Sequence, residues 1–475
     1  MVAAPKQGAA LPAGRPPADQ RHFVSPAVDK TIADFSQRMV DKDLATLFSN
    51  CLPNTLDTTV FFTNDSSTIT KKIDTFVVTG DIDAMWLRDS TNQVLPYLNF
   101  VGQDAGIRDM LHGVISRQTF SVLLDAYANA FNHDLSMPSP WMSDSTTKPG
   151  FLGTTLDAMT LYLHERKYEL DSLCAVMKLS TQYYNLTKDA TPFNAEWLKA
   201  MGTIVTIITE MQEGSDEEPS PPRYFFQRTT QQPTDTLMHG KGAPARRTGM
   251  SKSPFRPSDD ASTYLFPIAA NAMAVVSLRD LSSMLRSLNV APELADRAQK
   301  LSAEINTAIY THGVVSHPTY GKMFAYEVDG FGNAYLMDDA NVPSLLSLPY
   351  LGFCSASDPI YQNTRRFVLS TDNPYYFTSS LGPLAGGIGG PHIGRGYIWP
   401  MSIIMRGLTS TSDDEIKDCL EMLKTTTAGT GFMHESFWKD DASTFTRAWF
   451  AWANSLFGEF ILTVAQQRPH LIFRP

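Results

Sequence analysis

Apolar residues recur at helical spacing along most of this chain, while strand-like alternation is confined to short runs. Leu294, Ala298, Leu301, Ile305 and Ile309 form one such stripe, opened by Pro292 in the first turn. Ser412 and Glu415 stand at capping-box spacing, with Ile416, Cys419, Leu420 and Leu423 on one face behind them. Further helices are expected over 28–48, 86–98, 104–129, 152–164, 170–183, 194–211, 261–286, 397–408 and 447–466. The strand-like runs are Val60 to Thr63, Thr75 to Thr79, Tyr224 to Thr230 and Met323 to Val328. This pattern excludes a doubly wound sheet, which alternates strands with helices. It leaves an α-solenoid or a closed barrel of helical hairpins. No repeat of roughly 34–47 residues is visible to favour the solenoid.

Composition narrows the function classes. A net charge of -10 over 475 residues provides no basic face for nucleic acid. No apolar run is long enough and free enough of charge to span a membrane. Cys51, Cys174, Cys354 and Cys419 lie far apart, and no HExxH or paired-histidine pattern occurs, so neither a metal centre nor another cofactor is expected. Residues 1–24, rich in Ala, Pro and Gly, are expected to be a disordered lead and lack the apolar core of a secretion signal. Residues 25–475 then form a single domain. The run 212–254 holds Tyr224, Phe225, Phe226 and Arg228 among Pro and Gly clusters, too apolar for a free linker. It reads as a loop insertion beside the site.

The chemistry concentrates in a few clusters. Between Thr79 and Gln93 the chain places Asp81, Asp83, Trp86, Arg88, Asp89, Asn92 and Gln93 together. A sugar-binding wall needs that mixture, an aromatic face for C–H edges and charged or amide groups for hydroxyls. Phe255-Arg256-Pro257-Ser258-Asp259-Asp260 precedes a long apolar helix. Ser258 or Asp259 would cap that helix, which explains one carboxylate better than two. Glu435 lies between His434 and the Phe437-Trp438 pair, in surroundings that could hold a partly dry carboxylate. Gly386 to His392 is a glycine-rich turn leading towards Trp399; it follows no expected buried strand, so a nucleotide-phosphate loop is rejected. The run from Leu163 to Ser172 reads most simply as a solvated helix turn, and Asp125 to Asn132 as a pocket rim. Carboxylates with Trp and Tyr, and no nucleophile motif or metal ligands, fit glycoside hydrolysis.

With these motifs assembled, the chain resembles glycoside hydrolase family 125, the metal-independent exo-α-1,6-mannosidases. The resemblance rests on Gly80 to Ser90, Glu165 to Leu173, Phe255 to Asp260 and His434 to Phe437. It implies an all-α (α/α)6 barrel with short β excursions in its loops, an inverting single displacement, α-mannoside glycans as partners and no cofactor. It also implies an Asp acid in the Ser-Asp-Asp motif, here Asp260 or Asp259 with Asp260 preferred, and Glu435 as base. Candidates for gripping the terminal sugar are Trp86, Arg88, Asp89, Gln93, Asn129, Glu165, Glu169, His392, Trp399, His434 and Trp438. Gly390 stands where the resemblance leads one to expect Ser. The competing readings are a helical-barrel glucosidase of glucoamylase or trehalase type, and a mannan-binding protein without turnover.

Overall fold

The computed structural model describes residues 11–64, 73–147, 159–379 and 386–474. Helices dominate it, and one apolar cluster runs from Val28 to Phe473. Leu87–Val94 packs between Ala451–Gln467 and Leu170–Thr187. Leu170–Thr187 in turn packs on Ile268–Leu288, and Pro400–Leu408 lies against Ala451–Gln467. More exposed helices back this group: Ala105–Leu124 on Leu170–Thr187, Pro292–His312 on Ile268–Leu288, and Asp413–Thr425 on Pro400–Leu408. Pro292–His312 buries Ala298, Leu301, Ile305 and Ile309, the stripe read from the sequence except for Leu294. Each fully buried Leu or Ile there contributes about 1.5–3 kcal/mol.

The helices around the site begin from short strands. Ala84–Trp86 pairs antiparallel with Ala130–Asn132, which pairs with Leu163–Glu165. Phe266–Pro267 pairs with Glu327–Val328, and Tyr397–Ile398 with Phe437–Trp438. A strand keeps the backbone extended to the residue just before the helix. The side chains at that junction are thereby fixed in direction.

Several boundaries differ from the sequence reading, for identifiable reasons. The expected helix 28–48 is two, Pro26–Arg38 and Lys42–Cys51, because the Asp41 carboxylate accepts the Asp43 and Leu44 N–H groups and starts a new helix. The helix expected from 261 begins at Ile268, immediately after Pro267, which has no N–H and clashes inside a helix. Ser258 and Asp259 are therefore not its cap. Of the helix expected over 152–164, residues 159–162 are not helical and Leu163–Glu165 is a strand; 152–158 lie outside the described residues. Pro359–Val368 is an additional helix, capped by Asp358. No described helix is long and apolar enough to cross a membrane.

The expected disordered lead is ordered from residue 11 onwards, and residues 1–10 lie outside the described residues. Arg15 donates to Asp57 at 2.8 and 2.9 Å and to Asp29 at 2.6 Å, while the Gly14 N–H donates to Asn50. Composition signalled a weak core former; it could not show that one arginine meets a carboxylate only 1% exposed. Replacing Arg15 by Ala leaves Asp57 short of its main partner and should cost about 1.5–3 kcal/mol. A urea unfolding midpoint unchanged from the wild type would contradict this anchoring.

Candidate active site

The pocket is built at the N-terminal ends of helices. Trp86 precedes Leu87–Val94, Trp399 precedes Pro400–Leu408 and Phe450 precedes Ala451–Gln467, each with extended backbone and no side-chain cap. Arg88, Asp89 and Trp452 come from the first turns of two of these helices. These residues line one cavity with Ser258, Asp259, Asn341, His392, Glu435 and Arg447. It is small, about 60 Å³. Uncapped helix N-termini carry positive potential, which favours carboxylates at this mouth. The indole N–H groups of Trp86 and Trp399 have no protein partner. Unmet buried donors of this kind suit a hydroxyl-rich ligand.

Arg88 organises one wall. Its guanidinium donates to Glu169 at 2.7 Å, Asp171 at 3.4 Å and Asp259 at 3.0 Å, and lies 3.2 Å from Asp89. Burial pushes Asp89 and Asp171 each up to about 6 against the pull of Arg88. Burial also raises Glu169 well above the usual carboxylate range. Asp259 goes the other way: burial opposes ionisation, but Arg88, the hydrogen bond with Glu169, Lys167 and His392 together hold it low. Glu169 and Asp259 thus titrate as a pair that keeps a proton on its Glu169 side.

The loop carrying Asp259 is folded on itself. Arg256 accepts the Asp259 N–H and donates its own N–H to the Asp260 carbonyl, and Phe255 bridges to Ala261. Asp259 adopts φ +66°, a left-handed conformation that costs a non-glycine residue about 1–3 kcal/mol. That conformation aims Asp259 into the pocket, whereas Asp260 faces Ser258 and the His392 Nδ1 at 3.2 Å. Lys167 Nζ donates to the Asp259 carbonyl at 2.9 Å, and the Ala261 N–H donates to Thr234. The excursion 212–254 therefore braces this loop.

In the same cavity, Glu435 is 5% exposed and lies 3.6 Å from Arg447 Nε. Its loop is held by the Met433 N–H to Asn454, the Phe450 N–H to Met433, and the strand pairing of Phe437–Trp438 with Tyr397–Ile398.

The model of the metal-independent alpha-mannosidases, glycoside hydrolase family 125, matches residues 41–462. This chain belongs to that family. A Schizosaccharomyces pombe relative, the meiotically up-regulated gene 157 protein, is 44% identical over 473 residues, covering 97% of this chain and 90% of its own length. A Streptococcus pneumoniae metal-independent alpha mannosidase, solved as a non-productive substrate complex with alpha-1,6-mannobiose, is 37% identical with TM-score 0.85. That match covers 94% of this chain and 100% of the bacterial one. A bacterial glucoamylase complexed with acarbose, 14% identical with TM-score 0.52 over 88% of this chain and 55% of its own, shares the fold alone.

Within this family 125 chain, the sequence-expected residues divide by position. Trp86, Arg88, Asp89, Asp259, His392, Trp399 and Glu435 share the pocket. Glu169, Asn129 and Glu165 lie behind it: Asn129 donates to Glu165 at 3.0 Å and Glu169 at 3.2 Å, and Arg228 donates to Glu165 at 2.9 Å. The run from Glu165 to Asp171 is buried, not the solvated helix turn expected. Gln93 is enclosed in the core, donating to Val78 and Thr59. His434 contacts the Arg447 and Thr427 carbonyls and stacks on Phe445 at 4.0 Å, so it braces the Glu435 loop. Trp438 packs over Gly396 and against Tyr397, away from the pocket lining. Asn341, Arg447, Phe450 and Trp452 were missed, since no motif sets them apart in the sequence. Gly390 has a local cause: a Cβ there would stand 2.9 Å from Asp339 Oδ2.

Burial alone would lower the His392 pKa, yet Asp260, Asp259 and Glu435 raise it from an ordinary 6.5 to about 9. Its contribution to stability is complete below pH 6.5 and is lost as pH rises through about 9. An NMR titration of the His392 ring should give a midpoint near 9, falling markedly in Asp260→Asn. A wild-type midpoint at 6.5 would contradict the Asp260 pairing.

Proposed function

We propose that this chain is an exo-acting mannosidase removing terminal α-1,6-linked mannose with inversion, on an (α/α)6 barrel whose mouth is the pocket above. The observation that carries the reading is the presence of Asp259 and Glu435 in the lining of one small, Trp-lined cavity. A cavity this small suits a chain end better than an open cleft for internal cleavage. The family and the mannobiose complex of the bacterial relative support the choice of substrate.

Glu435 acts as general base in this reading. It takes a proton from a water whose oxygen attacks the anomeric carbon, while the bond from that carbon to O6 breaks. Asp259 relays to the departing O6 the proton held by Glu169, its partner in the shared titration, so that the pair gives up one proton as the bond breaks. We prefer Asp259 to Asp260 as the acid because Asp259 lines the cavity and Asp260 is engaged with His392. Inversion requires the two carboxyls about 6.5–9.5 Å apart, so that a water fits between base and sugar. Arg447 positions Glu435, and Asp89, Arg88 and the indoles of Trp86 and Trp399 grip the hydroxyls.

Incubation with α-1,6-mannobiose, followed by NMR, should show β-mannose first; initial α-mannose would overturn inversion. Glu435→Gln should lose turnover on every mannoside while still binding mannobiose. Asp259→Asn should lose about a hundredfold to ten-thousandfold on mannobiose. It should keep most activity on an aryl mannoside, whose leaving group needs no acid. If Asp260→Asn shows that leaving-group dependence and Asp259→Asn does not, the assignment reverses. Faster turnover of aryl glucosides than mannosides would favour the glucosidase alternative.

A further inference from the structure

A second, larger hollow lies beside the catalytic mouth. Its volume is about 620 Å³, inside the roughly 300–1,000 Å³ range of small-ligand sites. The hairpin Val60–Thr63 with Asp74–Val77, the helix Ala105–Leu124 and the segment around His133 form its walls. Phe61, Phe76, Phe120 and Tyr162 line it. His133 is held between two of these rings, stacked on Phe76 and tilted against Phe61 with both centroids at 4.5 Å. Asp74 and Arg117 form an ion pair in the wall, with Arg117 also 5.2 Å over the Phe76 ring.

The partition between this hollow and the catalytic pocket is thin. Asn132, which lines the hollow, contacts His164 Nδ1 at 3.2 Å, and the His164 ring lies 5.2 Å from Trp86 of the catalytic pocket. His133 Nδ1 lies 3.1 Å from Asp83, whose neighbour Ile82 lines the pocket. The strands Ala84–Trp86 and Ala130–Asn132 pair directly between the two cavities.

We infer that this hollow is a distal subsite for mannose residues of the same glycan whose terminal sugar occupies the catalytic pocket, an inference that rests on the mannosidase reading. The lining alternates aromatic rings with an amide, imidazoles and a self-neutralised ion pair. Rings meet the C–H edges of a sugar, and the polar groups meet its hydroxyls. Because Asp74 and Arg117 satisfy each other, the site favours an uncharged polyol over an anion or a cation. The catalytic pocket admits only a chain end, so the remainder of a longer mannoside must lie outside it, where this hollow adjoins.

The test compares α-1,6-mannobiose with linear α-1,6-mannopentaose. Phe61→Ala and Tyr162→Ala should each raise KM for the pentaose about tenfold, as losing one ring–sugar contact implies. The same variants should leave mannobiose kinetics within about twofold, and Phe61→Trp should retain pentaose KM. Unchanged pentaose KM, or an equal loss on both substrates, would overturn the subsite. Calorimetric titration of pentaose into Glu435→Gln, with and without Phe61→Ala, reads the hollow independently of turnover. Weaker binding with Phe61→Ala supports the subsite, and equal affinity overturns it. If the hollow takes up an apolar dye while pentaose affinity ignores Phe61, it belongs to another ligand and the inference fails. A wild-type enzyme inert on mannobiose would instead overturn the mannosidase reading, while the titration still decides the hollow.

Discussion

Arg88 is buried among Asp89, Glu169, Asp171 and Asp259. One guanidinium cannot compensate that much negative charge in a dry setting, so part of the carboxylate set must hold protons. The distribution is uneven. Asp259 retains its charge because Lys167 and His392 add to Arg88, while Glu169 is pushed strongly upward. A site for acid catalysis needs a proton kept available near neutral pH and a defined place from which to give it. The crowding around Arg88 supplies both, and it ties together the starts of two helices and the Asp259 loop.

Much of this site was legible in the sequence because its chemistry is concentrated. Trp86, Arg88 and Asp89 fall within a few positions, and the Ser258-Asp259-Asp260 and His434-Glu435-Ser436 motifs are unusual for turns. Which neighbour lines the pocket was not legible. Asp259 and Asp260 are chemically alike, and what separates them is the left-handed backbone at Asp259, held by Arg256, Lys167 and Thr234. Gln93 and His434 failed for a related reason. A polar side chain near a motif takes whatever hydrogen-bond partners the backbone delivers it to, and both bond inside the protein instead of facing the pocket. Asn341, Arg447 and Trp452 reach the pocket from distant segments, and only tertiary packing assembles them.

The helical character of the fold was legible for similar reasons of periodicity, and its boundaries followed residues of special backbone chemistry. Asp41 divides one expected helix, and Pro267 delays another. The strands that lead into the helices escaped notice because two or three residues carry too short a period to register. Those strands matter more than their length suggests, since Trp86 and Trp399 owe their direction to them.

Placing Trp86, Arg88, Asp89, Trp399 and Trp452 at the beginnings of separate helices also divides the labour of evolution. The long shafts behind the site form an apolar mass that is indifferent to which sugar is bound. A residue exchanged at one helix start alters recognition without recutting that mass. The same scaffold can therefore be retuned to a new glycan by single replacements around its rim.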